Sequence, residues 1–191
     1  MNASITVVIL AGGQSQRMQV PNKASVLFRG KPLIKHVIDH MHSQAKNIVI
    51  NTHQNQKDFD GYNLPLINDI SDKKEGPLLG ILSSLKVIQS DWIQFVPCDT
   101  PYLPENLITR LVEVVKVQKT LIAVPQTIDG LQSTCLLCHS STLENLQKFF
   151  NAGGRKIEDW IRQLPFSLVN FDDPSQFINI NTKEELEKAS L

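Results

Sequence analysis

Residues 5–23 read ITVVILAGGQSQRMQVPNK, and the fold follows from this stretch. The apolar run from Ile5 ends at the pair Gly12-Gly13, and a polar stretch carrying Arg17 and Lys23 follows. The first acidic residue is Asp39, whereas Arg17, Lys23, Arg29, Lys31 and Lys35 all precede it. A strand that empties into a glycine-rich, cationic loop suits a polyphosphate. Backbone N–H groups approach the anion where no side chain intervenes, and the cations neutralise it. Paired with an Asp that holds a metal in the same cleft, such a loop would bind and activate a nucleoside triphosphate.

Outward from this stretch, short β-branched runs alternate with helix-period segments. Strands are predicted at Ile5–Ala11, Asn47–Asn51, Leu64–Ile67, Trp92–Val96, Leu121–Val124, Ser133–Cys138 and Ser167–Asn170. Helices are predicted at Pro32–Met41, Pro77–Ile88, Pro104–Val115, Thr142–Phe150, Lys156–Arg162 and Lys183–Ala189. Pro32, Pro77 and Pro104 suit a first helical turn, where a missing N–H costs nothing. Ser141 with Glu144, and Thr182 with Glu185, have capping-box spacing. Near-continuous apolar strands in β-α-β order imply a mostly parallel sheet covered on both faces. The Asp129-Gly130 turn between two apolar runs adds a hairpin, hence an antiparallel strand. The expectation is one α/β domain over residues 1–191, Rossmann-like, with a mixed, mostly parallel sheet and helices on both faces. Ligands in such sheets sit beyond the carboxyl ends of the strands, so the loops after Ala11, Asn51, Ile67 and Val96 should share a cleft.

At 191 residues the chain can bury a substantial core. Its formal net charge is zero, so wholesale attraction to nucleic acid or an anionic membrane is not expected. The three cysteines, Cys98, Cys135 and Cys138, are too few for a disulfide scaffold. With no secretory leader and no apolar stretch of membrane length, a reducing cytoplasm is the expected location.

Two further motifs bear on chemistry. Pro97-Cys98-Asp99-Thr100-Pro101-Tyr102 follows the apolar strand WIQFV. A carboxylate there, near a phosphate loop, suits Mg²⁺, which takes hard oxygen ligands and often combines one or two carboxylates with substrate phosphates. Asp99 is therefore the candidate metal ligand. In Glu75-Gly76-Pro77-Leu78-Leu79-Gly80-Ile81, Gly76 and Pro77 form a tight entry into a helix whose first N–H groups are free for ligand.

The loop LAGGQSQRM fits neither the dinucleotide fingerprint nor the P-loop. It resembles instead the nucleotidyltransferase superfamily pattern L-A-G-G-x-S-x-R-M…K. Together with G-P-L-x-G, P-C-D-T-P-Y and the segment Asn179-Ile180-Asn181-Thr182-Lys183-Glu184-Glu185-Leu186, the chain resembles the molybdenum cofactor guanylyltransferases from about Val7 to Leu186. That family joins GMP from GTP to the terminal phosphate of molybdopterin and releases pyrophosphate. The resemblance implies a nucleotide-diphospho-sugar transferase-like fold and Mg²⁺ as cofactor. It implies nucleotide contacts from Leu10, Ala11, Gly12, Lys23, Asn51, Asp69 and Asp99, to which the glycine pair and the helix entry add Gly13, Gly76 and Pro77, with Arg17, Lys23 and Asp99 as the catalytic set. GTP and molybdopterin are then the partners, with transient contacts to molybdate-loading proteins and acceptor apoenzymes, and a monomer is expected. Asn179 and Asn181 are candidates for the pterin side. Asn181 could instead help to start the last helix. Two departures stand out: Gln19-Val20-Pro21-Asn22 replaces a glycine-rich, acid-containing step before the lysine, and Leu131-Gln132-Ser133-Thr134 replaces a region with a His-Pro pair. Two alternatives stay open: a related enzyme using CTP or a sugar phosphate, and a GTP-binding module without turnover.

Cys135-x-x-Cys138 lies within the apolar TCLLC and has no second pair, so it reads as core rather than zinc site. His36 and His40 have i, i+4 spacing but lack the following Glu and a third ligand, and read as surface residues. A covalent role for Cys98 is not needed, because one phosphate can attack another directly.

Overall fold

Val7, Val8 and Ile9 in the first strand, β1 (Ile5–Leu10), are inaccessible to solvent, as a strand covered on both faces requires. A computed structural model describes residues 4–12, 22–53, 56–71 and 75–190. Alternate side chains of β1 serve two separate apolar layers, because successive residues of a strand point to opposite faces.

The remaining strands are β2 (Leu27–Phe28), β3 (Lys31–Pro32), β4 (Asn47–Thr52), β5 (Leu66–Asn68), β6 (Trp92–Pro97), β7 (Ile122–Thr127), β8 (Gly130–Leu131), β9 (Leu137–His139) and β10 (Phe166–Asn170). The helices are α1 (Leu33–His42), α2 (Pro77–Val87), α3 (Leu107–Gln118), α4 (Leu143–Asn151), α5 (Ile157–Ile161) and α6 (Lys183–Ser190). On one face Val7 and Ile9 meet Ile34, Val37 and Met41 of α1 and Leu107 and Leu111 of α3. On the other, Val8 and Leu10 meet Leu78, Ile81 and Leu85 of α2 together with Trp160 and Ile161 of α5. Truncating one of these buried aliphatic side chains to Ala would cost about 2–5 kcal/mol.

The main sheet runs β10-β7-β9-β6-β1-β4-β5, with β8 added beside β7. The pairs β1–β4, β1–β6, β4–β5 and β7–β10 are parallel, and β9 is antiparallel to both β6 and β7. The predicted mixed, mostly parallel sheet is therefore present; the hairpin turns at Ile128-Asp129 rather than Asp129-Gly130 and joins β7 to the short β8, and the expected antiparallel strand, β9, comes after it. From β1 the chain steps outward to β4 and β5, then returns across to β6 on the opposite flank of β1. This reversal makes the carboxyl ends of β1 and β6 a topological switch point.

Several local expectations change. Pro77 opens α2, but Pro32 precedes α1 and α3 begins at Leu107, three residues after Pro104. The carbonyl of Pro104 accepts instead from Leu107 N and from the Gln44 side chain. Thr182 and Glu185 form the reciprocal box, at 3.1 and 3.0 Å. Ser141 does not pair with Glu144 in that way: its hydroxyl lies 2.8 Å from His139 Nδ1, and Thr142 precedes α4. The predicted strand from Ser133 begins only at Leu137, because residues Ser133–Cys135 form a 3₁₀ turn. The ribbon of β2 and β3 was not anticipated; Arg29 and Gly30, with φ of 47° and 77°, make its two-residue turn. Its Phe28 packs with Leu33 and Ile180, bringing the C-terminal segment back to the β1 side. Among the described residues no helix is long and apolar enough to cross a membrane.

Candidate functional site

At the switch point, Cys98 N donates to Leu10 O at 3.1 Å and carries the β1–β6 ladder one residue further. Asp99 therefore stands just past the ends of the two central strands. Lys23 is delivered by the short 3₁₀ turn Lys23–Ser25, which Asn22 caps by accepting from Ala24 N at 2.9 Å. The Lys23 ammonium forms an ion pair with the Asp99 carboxylate and also donates to Asn181 Oδ1. Both side chains of the pair are about nine-tenths buried, at 9% and 10% exposure. A charge in such a place needs a partner, and each supplies the other's. The sequence reading placed the cationic loop and an Asp in one cleft; the structure has Lys23 and Asp99 in direct contact.

The C-terminal Asn179–Thr182 segment completes this end. Ile180 N donates to Asp99 O at 2.9 Å, and Thr100 Oγ1 donates to Asn179 Oδ1 at 2.5 Å. Glu185 accepts from Asn181 N at 2.6 Å and Thr182 N at 3.0 Å, so the start of α6 holds the Asn181 side chain toward Lys23. Asn181 thus both precedes the last helix and reaches the charged pair. Among the described residues no group of three or more His, Cys, Asp or Glu is arranged around a metal position. A lone carboxylate beside amide oxygens fits a hard cation such as Mg²⁺ when phosphate oxygens complete the shell.

Two strands away lies a second cluster. Ala11 N donates to Asn51 O at 2.8 Å, extending β1 along β4. The buried Asn51 side chain donates to Asp69 Oδ1 at 2.9 Å and to Ile67 O at 3.3 Å. Asp69 Oδ2 faces His53 Nδ1 at 3.8 Å. Glycines make this packing possible. A Cβ on Gly80, in α2, would stand 2.3 Å from Asn51 Oδ1, and one on Gly12 would stand 2.8 Å from His53 Nδ1. The second glycine of the G-P-L-x-G motif thus makes room for an amide that holds Asp69. Gly76 enters α2 at φ 80°, a region that favours glycine, and Ser83 of that helix accepts from Ile70 N at 3.0 Å.

Of the residues named from the sequence, Lys23 and Asp99 meet directly. Leu10, Ala11, Gly12, Asn51 and Asp69 form one continuous group, and Gly76 and Pro77 open α2. Gly13 and Arg17 lie outside the described residues. Sequence reasoning gave no role to Asn22 or His53, and none to Gly80 beyond its place in the G-P-L-x-G motif. For Asn22 the cue was its place two residues before a turn N–H it could cap; a lone His and a helical Gly carry no such cue. Cys135 and Cys138 sit in the core, as expected, and Cys98 is buried with them. Burial, and then the Asp99 charge, pushes the Cys98 thiol far above its ordinary range, and burial lifts Cys138 to about 12. A thiol so disfavoured as thiolate is no nucleophile. His36 is half-buried rather than a free surface residue, with Nε2 2.9 Å from Phe28 O.

Residues 7–168 match the family of MobA-like NTP transferase domains. A molybdenum cofactor guanylyltransferase of Cupriavidus metallidurans is 35% identical over 187 residues, covering 95% of this chain and 92% of that protein. The enzyme of the same name from Shewanella putrefaciens is 35% identical over 192 residues, covering 100% and 98%. In fold, the molybdopterin-guanine dinucleotide biosynthesis protein A of Archaeoglobus fulgidus superposes with a TM-score of 0.82 at 22% identity, over 97% of this chain and 96% of that one. On sequence similarity along its whole length, the chain belongs to the MobA-like NTP transferase family, among the molybdenum cofactor guanylyltransferases.

Proposed function

We propose that this chain transfers GMP from GTP to the terminal phosphate of molybdopterin, releasing pyrophosphate and forming the guanine dinucleotide cofactor. The observation that carries the reading is the buried Lys23–Asp99 pair at the β1–β6 switch point, where the two charges that triphosphate chemistry needs come from separate loops. The names of the full-length relatives support the identity of both substrates.

The triphosphate lies along the β1 turn, with its nucleoside toward Asn51 and Asp69. Lys23 shifts from Asp99 to phosphate oxygens and stabilises the charge that develops on them. Arg17 is assigned to the same task from the sequence pattern. Asp99, once released, is the residue that would hold a divalent cation. When bound, Mg²⁺ supplies Lewis-acid neutralisation of the phosphate oxygens. Asn181 steadies Lys23, and the Asn179–Thr182 segment borders the side from which the second phosphate approaches. No protein nucleophile is required; alignment and electrostatics supply the acceleration. We assign the reaction to the cytoplasm, where three free thiols persist.

The test is incubation with GTP, Mg²⁺ and molybdopterin, followed by mass detection of the dinucleotide. Product from CTP in preference to GTP would defeat the guanylyl assignment.

A further inference from the structure

The cluster of Gly12, Asn51, His53 and Asp69 contains a side chain without an assigned role. Asp69 Oδ1 is fixed by the Asn51 amide at 2.9 Å, so the carboxylate is held in one orientation. Its second oxygen faces His53 Nδ1 at 3.8 Å, and the imidazole lies against the backbone of Gly12, at the turn that carries the nucleotide. The Asp69 side chain is 10% exposed and that of His53 25%, so the ring shields the carboxylate from water on that side. A separation of 3.8 Å is longer than a hydrogen bond, but polar contacts of this kind in a ligand-free site shorten when the ligand closes them. Hydrogen bonds made by a shielded carboxylate are stronger than those made in water.

We propose that His53 is a positioning residue for the nucleoside: it braces Asp69 against the Gly12 turn so that the carboxylate accepts from donor groups of the guanine nucleotide. The assignment rests on the guanine-nucleotide reading above. His53 acts through Asp69, with Nδ1 donating to Oδ2 while Asn51 holds Oδ1. Two anchors on one carboxylate leave its remaining lone pairs fixed for the ligand. An Asn at position 53 places its amide nitrogen near the Nδ1 position, so it replaces the donor without the ring.

The experiment is calorimetric titration of the full chain with GTP and Mg²⁺. His53→Ala is expected to weaken GTP binding by about tenfold, the scale of one hydrogen bond to a charged group. His53→Asn is expected to recover most of that loss. In an Asp69→Asn background, His53→Ala should add less than about twofold, because the group it acts through is already altered. Thermal unfolding of each variant identifies any that fail to fold. If His53→Ala fails, His53→Asn against wild type and in the Asp69→Asn background carries the test: affinity kept near wild type supports the role, and a tenfold loss overturns it. Fully additive losses, or unchanged affinity in His53→Ala, would also overturn it. Coupled losses in a protein that makes no dinucleotide would keep the role of His53 and refute the reaction. Additive losses in an active enzyme would do the reverse. Absence of GTP binding by the unmodified chain would overturn both.

Discussion

At the β1–β6 junction two opposite charges, Lys23 and Asp99, are buried against each other, whereas at β4–β5 the carboxylate of Asp69 is held by the neutral amide of Asn51. The first region contains a charge pair that a ligand must rearrange before either member can act. The second is already arranged, and its shape is limited by two positions, Gly12 and Gly80, where no Cβ fits. The charged region should therefore govern turnover, and the packed region affinity and stability.

The largest break is expected from Asp99→Ala, which should lower turnover by at least ~10²-fold, the scale of losing one preorganised electrostatic group. Pyrophosphate release measures it, and an unchanged rate would remove Asp99 from the chemistry. Lys23→Met should impair the reaction comparably. It should also destabilise the fold by roughly 3–5 kcal/mol, because Asp99 is left buried without its counter-charge. Adding Asp99→Leu to Lys23→Met should restore much of that stability in urea unfolding while activity stays lost. Recovery of activity in the double variant would show that the pair serves structure alone.

Gly80→Ala sharpens the comparison from the other side. The methyl group would displace the Asn51 amide and cost about 1–3 kcal/mol, as overpacking of a core does, with a matching loss of GTP affinity. Gly61, with open space around its Cβ position, is the control, and Gly61→Ala should be near neutral. The smallest effect is expected far from the cleft, at Asp91. Hydrogen bonds from the Ser4 N–H, at 2.8 Å, and hydroxyl, at 3.0 Å, hold its carboxyl below the usual value of 3.8. A depressed folded value means that the contribution is complete above the unfolded value and fades as pH falls through the folded one. Asp91→Asn should thus lower the melting temperature slightly at pH 7, with a difference that narrows toward pH 3. A constant difference across that range would contradict the assignment.

What was legible in the sequence was local or periodic. The β1 run, the parallel order and the Thr182–Glu185 box need information from a few neighbouring residues, and all are present in the fold. Asp99 could be named because a carboxylate after a buried strand has few places to go. The rest depends on distant partners. The Ser141 box was displaced by His139, and the strand from Ser133 was shortened by a turn whose Cys135 carbonyl accepts from the Gln94 side chain. Gly80 is an ordinary helical glycine until Asn51, 29 positions earlier, is seen beside it. The direct Lys23–Asp99 contact was invisible for a similar reason, since it is made by loops 76 residues apart.

The most direct test of the central claim is a crystal structure with Mg²⁺ and a non-hydrolysable GTP analogue. The account predicts that the Lys23 ammonium leaves the Asp99 carboxylate for the phosphates, that Asp99 faces the cation, and that the guanosine lies toward Asn51 and Asp69. A nucleotide bound elsewhere, with the Lys23–Asp99 pair intact, would contradict it.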